Sequence, residues 1–187
     1  MSTGHRVRGE RGAALVELAI VLPLFVLLIF GVIEFGMVYN NDISLRQGAR
    51  EAAREGAVGT FGPASTTGSP CHLTGTTGAS TDMKNLMCLA KNQIGFDATK
   101  LRVKILSGSA DFSTSGSFAK GDSLIVCAQY PIDGAATLVS PFLSHATLRT
   151  KAAIRIETAY STTETGGEET PPTGADWSWC TVSAAAP

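Results

Sequence analysis

The residues best suited to covalent chemistry are four cysteines, Cys71, Cys88, Cys127 and Cys180. An even number of cysteines in an exported region favours two disulfides, and four cysteines allow three pairings, which spacing alone does not separate. From their positions we predict Cys71–Cys88, across a loop and the start of a helix, and Cys127–Cys180, which would anchor the tail. The three histidines are scattered and no C-x-x-C occurs. We therefore predict no metal site and no cofactor.

A second candidate for chemistry is the GDSL block at residues 121–124, which spells the nucleophile block of a lipase and esterase family. In those enzymes the block follows a strand near the N-terminus, and a late Asp-x-x-His supplies the base. Here the block precedes a predicted strand in mid-chain, and Phe142 stands three residues before His145. Ser144 is adjacent to His145, which does not favour a directed Ser–His hydrogen bond. We predict a turn at this block and no enzyme.

The element that positions everything else is an apolar stretch of sixteen uncharged residues between Glu17 and Glu34. As a helix those residues reach only ~24 Å, which is short of a ~30 Å hydrocarbon core. The helix must therefore continue past the glutamates, and residues 13–39 extend to ~40 Å, close to a bilayer with its head groups. We predict a transmembrane helix over 13–39, with each glutamate about one turn inside an interface.

The flanks of this stretch predict its direction. Residues 1–12 form a basic leader with three arginines and a single acid, whereas Asn40, Asn41 and Asp42 follow the span. By the positive-inside rule the leader is cytoplasmic and the chain after about residue 40 is exported. A cleaved signal peptide is the competing interpretation, but no A-x-A-like site occurs before Asn41.

We expect the helix to continue outside the membrane as an extension over residues 40–57. Charged residues recur there every four positions, and the acid-first pair Asp42–Arg46 is favourable in a helix. Small residues recur in parallel rows and permit close backbone approach: Gly48, Ala49, Ala52, Ala53 and Gly56. This row is predicted to pack either under the protein's own sheet or against a neighbouring subunit.

The remaining sequence predicts an exported α+β domain over residues 82–160. It opens with a short helix that begins after Ser80 or Thr81 and ends at Gly95. Alternating or continuous apolar patterns then predict antiparallel strands near residues 100–105, 123–130 and 146–157.

Two further segments frame this domain. Residues 58–81 are predicted to be a Gly/Ser/Thr loop, and residues 161–187 an acidic low-complexity tail. We expect residues 161–176 to be mobile. The Trp-rich end, Trp177–Cys180, is too apolar for a free tail and is predicted to dock.

The N-terminal motifs resemble the TadE-like pseudopilin family of the bacterial tight-adherence (Tad) type IV pilus system. The landmarks are RGAALVE at residues 11–17, Leu22-Pro23 within the span, and Glu34-Phe35-Gly36 at its far end. The resemblance covers residues 11–57 closely and the later strands loosely. It implies cleavage between Gly12 and Ala13 by a prepilin-type aspartyl peptidase, with Glu17 and Glu34 used for assembly.

The function implied by this resemblance is that of a minor pilin or pseudopilin, a structural subunit with a pilin-like fold. Its expected partners are the membrane, the peptidase, other pilin-like subunits and the Tad assembly machinery, and its expected location is the bacterial inner membrane. The alternative is an uncleaved, single-pass membrane-anchored module for assembly or binding. A net charge of −1 gives no indication of nucleic-acid binding, and no small-molecule substrate is expected.

Overall fold

The computed structural model describes residues 8–59, 71–76, 79–132, 146–160 and 166–183. Two helices, α1 (Arg8–Ala57) and α2 (Thr81–Ile94), precede the strands β1 (Arg102–Gly108), β2 (Ser123–Pro131), β3 (Thr147–Arg155) and β4 (Gly167–Glu168). The strands form one antiparallel sheet in the order β3-β2-β1-β4. The predicted α+β class, with a long N-terminal helix, a short helix and a small antiparallel sheet, is confirmed.

Helix α1 is a single helix of 50 residues, which corresponds to ~75 Å at the usual rise per residue. It begins at Arg8, inside the predicted leader, and it runs without interruption through Pro23 and through the predicted boundary at residue 39. Most large apolar side chains from Leu15 to Tyr39 are 40–79% exposed, whereas Leu45 is fully buried. The N-terminal part of α1 therefore extends away from the domain, and its last turns belong to the core.

The sheet has two covered faces. On the face toward α1 and α2, alternate strand residues are buried, among them Val103, Ile105, Leu124, Val126 and Ala152. On the opposite face, Ile125 and Cys127 pack against Trp177 and Cys180 from the C-terminal tail. We call these the helix face and the tail face. Because both are covered, β2 is buried along most of its length, as its continuous apolar sequence predicts.

Helix α2 has the ends that its sequence predicts. Ser80 is the N-cap, and its Oγ accepts a hydrogen bond of 3.1 Å from the backbone N–H of Met83. Gly95 ends the helix in the left-handed conformation with φ of 71°, and its N–H donates to the carbonyl of Lys91. A Cβ at Gly95 would be strained in this conformation, which explains a glycine at the C-terminus.

The acidic tail differs from its prediction. The expectation that residues 161–176 are mobile is wrong for the described part, because Gly167 and Glu168 pair with Ile105 and Lys104 as β4. Glu169, the next residue, is fully buried. The predicted docking of the Trp-rich end is observed, since Trp177 is only 6% exposed. The tail therefore extends the sheet at one end and covers one of its faces.

Candidate functional site

The predicted processing and membrane residues lie on the exposed part of α1. Gly12, Ala13 and Glu17 are exposed, and a side chain added at Gly12 would meet no atom within 4 Å. Glu34 is half-buried and lies seventeen residues beyond Glu17, a separation of ~26 Å along a helix. An 18-residue stretch of this helix has a mean hydropathy of 2.8, and none of its residues is buried. In the described residues, this is the one helix long and apolar enough to cross a membrane.

The row of small residues on α1 contacts the protein's own domain. Ala49, Ala52 and Ala53 are buried in the core. A Cβ at Gly48 would lie 2.5 Å from Cα of Ile94, at the end of α2. The absence of a side chain at Gly48 therefore allows the backbones of the two helices to approach closely, which corresponds to packing of the row under the chain's own domain.

Gly56 has the same role about two turns further along the helix. A Cβ at this position would lie 2.7 Å from Cδ2 of Leu124 and 2.8 Å from Cδ1 of Leu86. Its carbonyl also accepts a hydrogen bond of 2.7 Å from the hydroxyl of Tyr160. Gly56 thus joins α1 to α2, to the sheet and to the segment after β3.

The charged residues of the extension lie on its solvent side. Arg46 forms the predicted ion pair with Asp42 at 2.9 Å. Arg54 pairs with Glu51 at 2.7 Å, and this hydrogen bond lowers the pKa of the exposed Glu51 carboxyl. Exposed pairs of this kind contribute little to stability. The small residues of α1, and not its ion pairs, therefore hold this helix against the domain.

The structure contains a buried ion pair that sequence reasoning missed. The Nζ of Lys91 lies 2.7 Å from Oε1 of Glu169, and both side chains are fully buried. Lys91 also donates to the carbonyls of Ala98, at 2.9 Å, and of His72. Burial lowers the pKa of Lys91, and the adjacent Glu169 carboxylate opposes that shift.

The carboxylate of Glu169 connects segments that are far apart in the chain. Its Oε1 accepts from the backbone N–H of Thr74 at 3.0 Å, and its Oε2 accepts from that of Val103 at 2.9 Å. Its own carbonyl accepts from Nε1 of Trp177 at 2.8 Å. One signal for this site was present in the sequence. Lys91 follows Met87 by one helical turn and so continues the buried side of α2, where a charge requires a partner.

Both predicted cysteine pairs are bonded in the structure. Cys71–Cys88 joins the loop before α2 to that helix, and Cys127–Cys180 joins β2 to the C-terminal tail. The Cα atoms are separated by 5.5 Å and 6.1 Å respectively, within the usual range for disulfides. The described residues contain no free cysteine.

The GDSL block forms a turn. The carboxylate of Asp122 accepts hydrogen bonds from the backbone N–H groups of Ser117, at 2.8 Å, and Ala119, at 3.2 Å. Ser123 is the first residue of β2 and is only 3% exposed. Its hydroxyl is therefore not presented to solvent as a nucleophile would be. The Ser144–His145 pair lies outside the described residues, among which no group of three or more potential metal ligands occurs.

Taken together, these features define a class of protein: a small disulfide-bonded α+β domain on a long helix whose free part is apolar and exposed. Residues 12–54 match the family model described as TadE-like protein. The predicted resemblance of the N-terminal region is therefore confirmed, and the match ends before α2 and the sheet. A comparison with curated proteins finds no match, and a comparison with solved structures finds none either.

Proposed function

We propose that this chain is a minor pilin or pseudopilin, a membrane-inserted structural subunit used in assembling a Tad pilus. The observation that carries the proposal is the TadE-like match over residues 12–54, which coincides with the exposed apolar part of α1 and its junction with the domain. In this proposal the leader faces the cytoplasm, α1 crosses the inner membrane, and the disulfide-bonded domain lies outside. Disulfides persist in such an oxidising compartment.

Processing between Gly12 and Ala13 by a prepilin-type aspartyl peptidase is the first chemical step of this proposal. Gly12 is exposed and has open space around it, which supports access by a protease. Cleavage would give Ala13 a new α-amine, positively charged at neutral pH. Glu17 follows four residues later, ~6 Å along a helix.

Assembly is the second step, and it uses the carboxylates of Glu17 and Glu34. A carboxylate at membrane depth is costly unless it is paired. In the proposed assembly, the Ala13 amine of one subunit meets Glu17 of the next and removes this cost. Glu34 has one carboxylate oxygen that is buried without a hydrogen-bond partner, which supports a role for it as a second contact between subunits.

The test is the N-terminal residue of the protein isolated from its native envelope, for the natural chain and for Gly12→Leu. The natural chain should begin at Ala13, and Gly12→Leu should retain the leader. Gly31→Leu is the matched control, because Gly31 is another exposed-helix glycine with open space, and it should be processed normally.

Glu17→Ala separates processing from assembly. This variant should be cleaved and inserted but should fail to support filaments, whereas the neighbouring Val16→Ala should support them. If the natural chain instead began at Met1 or Ser2, the protein would be the alternative, an uncleaved membrane-anchored module. Normal pili in Glu17→Ala cells would rule out the assembly role of that carboxylate.

A further inference from the structure

The two edges of the sheet differ in how their backbone groups are satisfied. At the β4 edge, the outward N–H of Val103 donates to Oε2 of Glu169, and Ile105 pairs with Gly167. Further along β1, the carbonyl of Ser107 accepts from the N–H of Gly116 at 2.9 Å. The β4 edge is therefore closed by β4, by a carboxylate and by the connection between β1 and β2.

The opposite edge is formed by β3. The N–H of Ile132 donates to the carbonyl of Ala146, and that of Ile156 donates to the carbonyl of Asp122. Because antiparallel bonding repeats every two residues, these two bonds assign the even-numbered residues of β3 to the ladder with β2. The odd-numbered residues direct their N–H and C=O groups outward. In the described part of the chain, no backbone hydrogen bond reaches the outer side of Arg149, Ala153 or Arg155.

The side chains of β3 divide by charge between the two faces. Arg149 and Arg155, at odd positions, share the tail face, where the Arg149 guanidinium lies 5.8 Å from the ring centroid of Trp179. On the helix face, Ala152 is in the core and Ile154 packs against it. The strand TLRTKAAIR contains no acidic residue. A neighbouring strand would therefore meet the guanidinium groups of Arg149 and Arg155 on one face, with Asp176 of the tail near Arg149, and apolar side chains on the other.

A groove of about 650 Å³ runs between this edge and α1. Ile154 contributes apolar surface to the groove, and Arg50 and Arg54 contribute cationic groups from the helix beside the acidic Glu51. Arg54 is bonded to Glu51, whereas Arg50 has no ion-pair partner among the described residues. The charge along the groove is thus predominantly positive.

We propose that the outer edge of β3 binds an extended acidic segment of a partner protein, which adds to the sheet as a further strand. Backbone hydrogen bonds would supply the affinity, as in other strand-addition complexes. Acidic side chains at alternate positions of the segment would face Arg149 and Arg155, and the apolar side chains between them would enter the groove beside α1. Directly opposed residues on neighbouring strands are close enough for such pairs to be favourable.

A second copy of this chain, paired through its own β3, would fit the outer edge of β3 less well than an acidic segment. Antiparallel pairing of two β3 strands brings only cationic and neutral side chains opposite one another, because the strand has no acid. Like charges directly opposite across strands are destabilising. The inference depends on the geometry of this edge and not on the function proposed above, so it can fail while that function holds.

The test uses the full chain in detergent and a synthetic peptide in which Glu alternates with Val, matched to the nine residues of β3. A control peptide replaces each Glu with Lys. Binding is measured by fluorescence anisotropy of the labelled peptides, and amide hydrogen exchange locates the contact. The Glu peptide should bind and should protect the outward amides of Arg149, Ala153 and Arg155. The Lys peptide should not bind.

Two variants of β3 sharpen this test. Ala153→Pro removes one outward N–H but no bond of the β2 ladder, and proline is tolerated on edge strands. It should weaken binding of the Glu peptide about tenfold, as expected for one lost hydrogen bond, whereas Ala153→Val should bind normally. Arg149→Glu combined with Arg155→Glu should reverse the preference, so that the Lys peptide binds more tightly than the Glu peptide.

Three outcomes would overturn the proposal. The first is no binding of the Glu peptide, and the second is equal binding of the Glu and Lys peptides. The third is protection of the same outward amides without peptide at concentrations where the chain self-associates, which would assign the edge to a second copy. Loss of binding in Ala153→Pro counts in favour only if its thermal unfolding midpoint matches that of Ala153→Val.

Discussion

At the scale of single residues, the Lys91–Glu169 pair has the largest expected effect on stability. Replacing one partner leaves a charge buried without compensation, which typically costs ~3–5 kcal/mol. Lys91→Met should therefore lower the free energy of unfolding by about this amount, because Glu169 would keep its carboxylate among buried atoms. The measurement is the urea unfolding midpoint of the full chain in detergent.

The matched control is another Lys–Glu pair of the same sheet region. Lys104 lies 2.6 Å from Glu168, but the Glu168 side chain is 52% exposed, so Lys104→Met should cost under ~1 kcal/mol. The double variant Lys91→Met/Glu169→Leu should recover part of the lost stability, since no unpaired charge remains. If Lys91→Met and Lys104→Met lowered the free energy of unfolding equally, burial of the Lys91–Glu169 pair would not be what makes it important for stability.

At the scale of elements, the contact between α1 and α2 depends on a glycine at position 48. A methyl group there would lie 2.5 Å from a backbone atom of Ile94, and backbone cannot move aside as the end of a side chain can. Gly48→Ala should therefore cost ~1–3 kcal/mol through overpacking. Arg50→Gln, on the exposed charged row of the same helix, should cost under ~1 kcal/mol.

These two variants are compared by their urea midpoints in the full chain. The same comparison applies to Gly56→Leu, which would overfill the space beside Leu86 and Leu124. If Gly48→Ala and Arg50→Gln had equal midpoints, the small row would not be the packing face of α1.

The helices and the central strands were predictable because their signals are local. The cap at Ser80, the stop at Gly95 and the apolar stretch of α1 each lie within one element. The position of Glu169 was not predictable in this way. Its low-complexity surroundings predict solvation, and its burial results from partners at Lys91 and Val103, which are distant in sequence. Pairing of that kind depends on the assembled fold.

The outer edge of β3 was likewise not predictable from local signals. Its cationic positions could be read from the sequence, but its place at the end of the sheet depends on β4 occupying the other end. The two-residue strand Gly167–Glu168 has no apolar alternation and gave no strand signal. The sequence therefore predicts three strands, and only the structure shows which edge remains available in the described part.

At the scale of the whole molecule, the two disulfides should contribute unequally. Cys127–Cys180 closes a separation of 53 residues and Cys71–Cys88 one of 17. In the loop-entropy model these correspond to ~4 and ~3 kcal/mol. Cys127→Ala/Cys180→Ala should therefore destabilise the chain more than Cys71→Ala/Cys88→Ala, and it should also expose Ile125 as the tail detaches.

Urea unfolding of the two double variants, each with its remaining disulfide intact, measures this difference. Non-reducing peptide mapping of the natural chain provides the control for pairing. Recovery of a Cys71–Cys127 or Cys88–Cys127 species would contradict the pairing on which the comparison depends.

The continuity of α1 has a mechanical consequence. Its exposed apolar part and the segment that enters the domain core at Leu45 belong to one unbroken helix. A pull or a twist applied to the free end is therefore transmitted along a stiff helix to the segment of α1 that packs on the sheet beside α2. This segment cannot be drawn out of the domain while the domain stays folded, because Ala49, Ala52 and Ala53 are themselves part of the core. Under load, the exposed part of α1 and the domain should yield together.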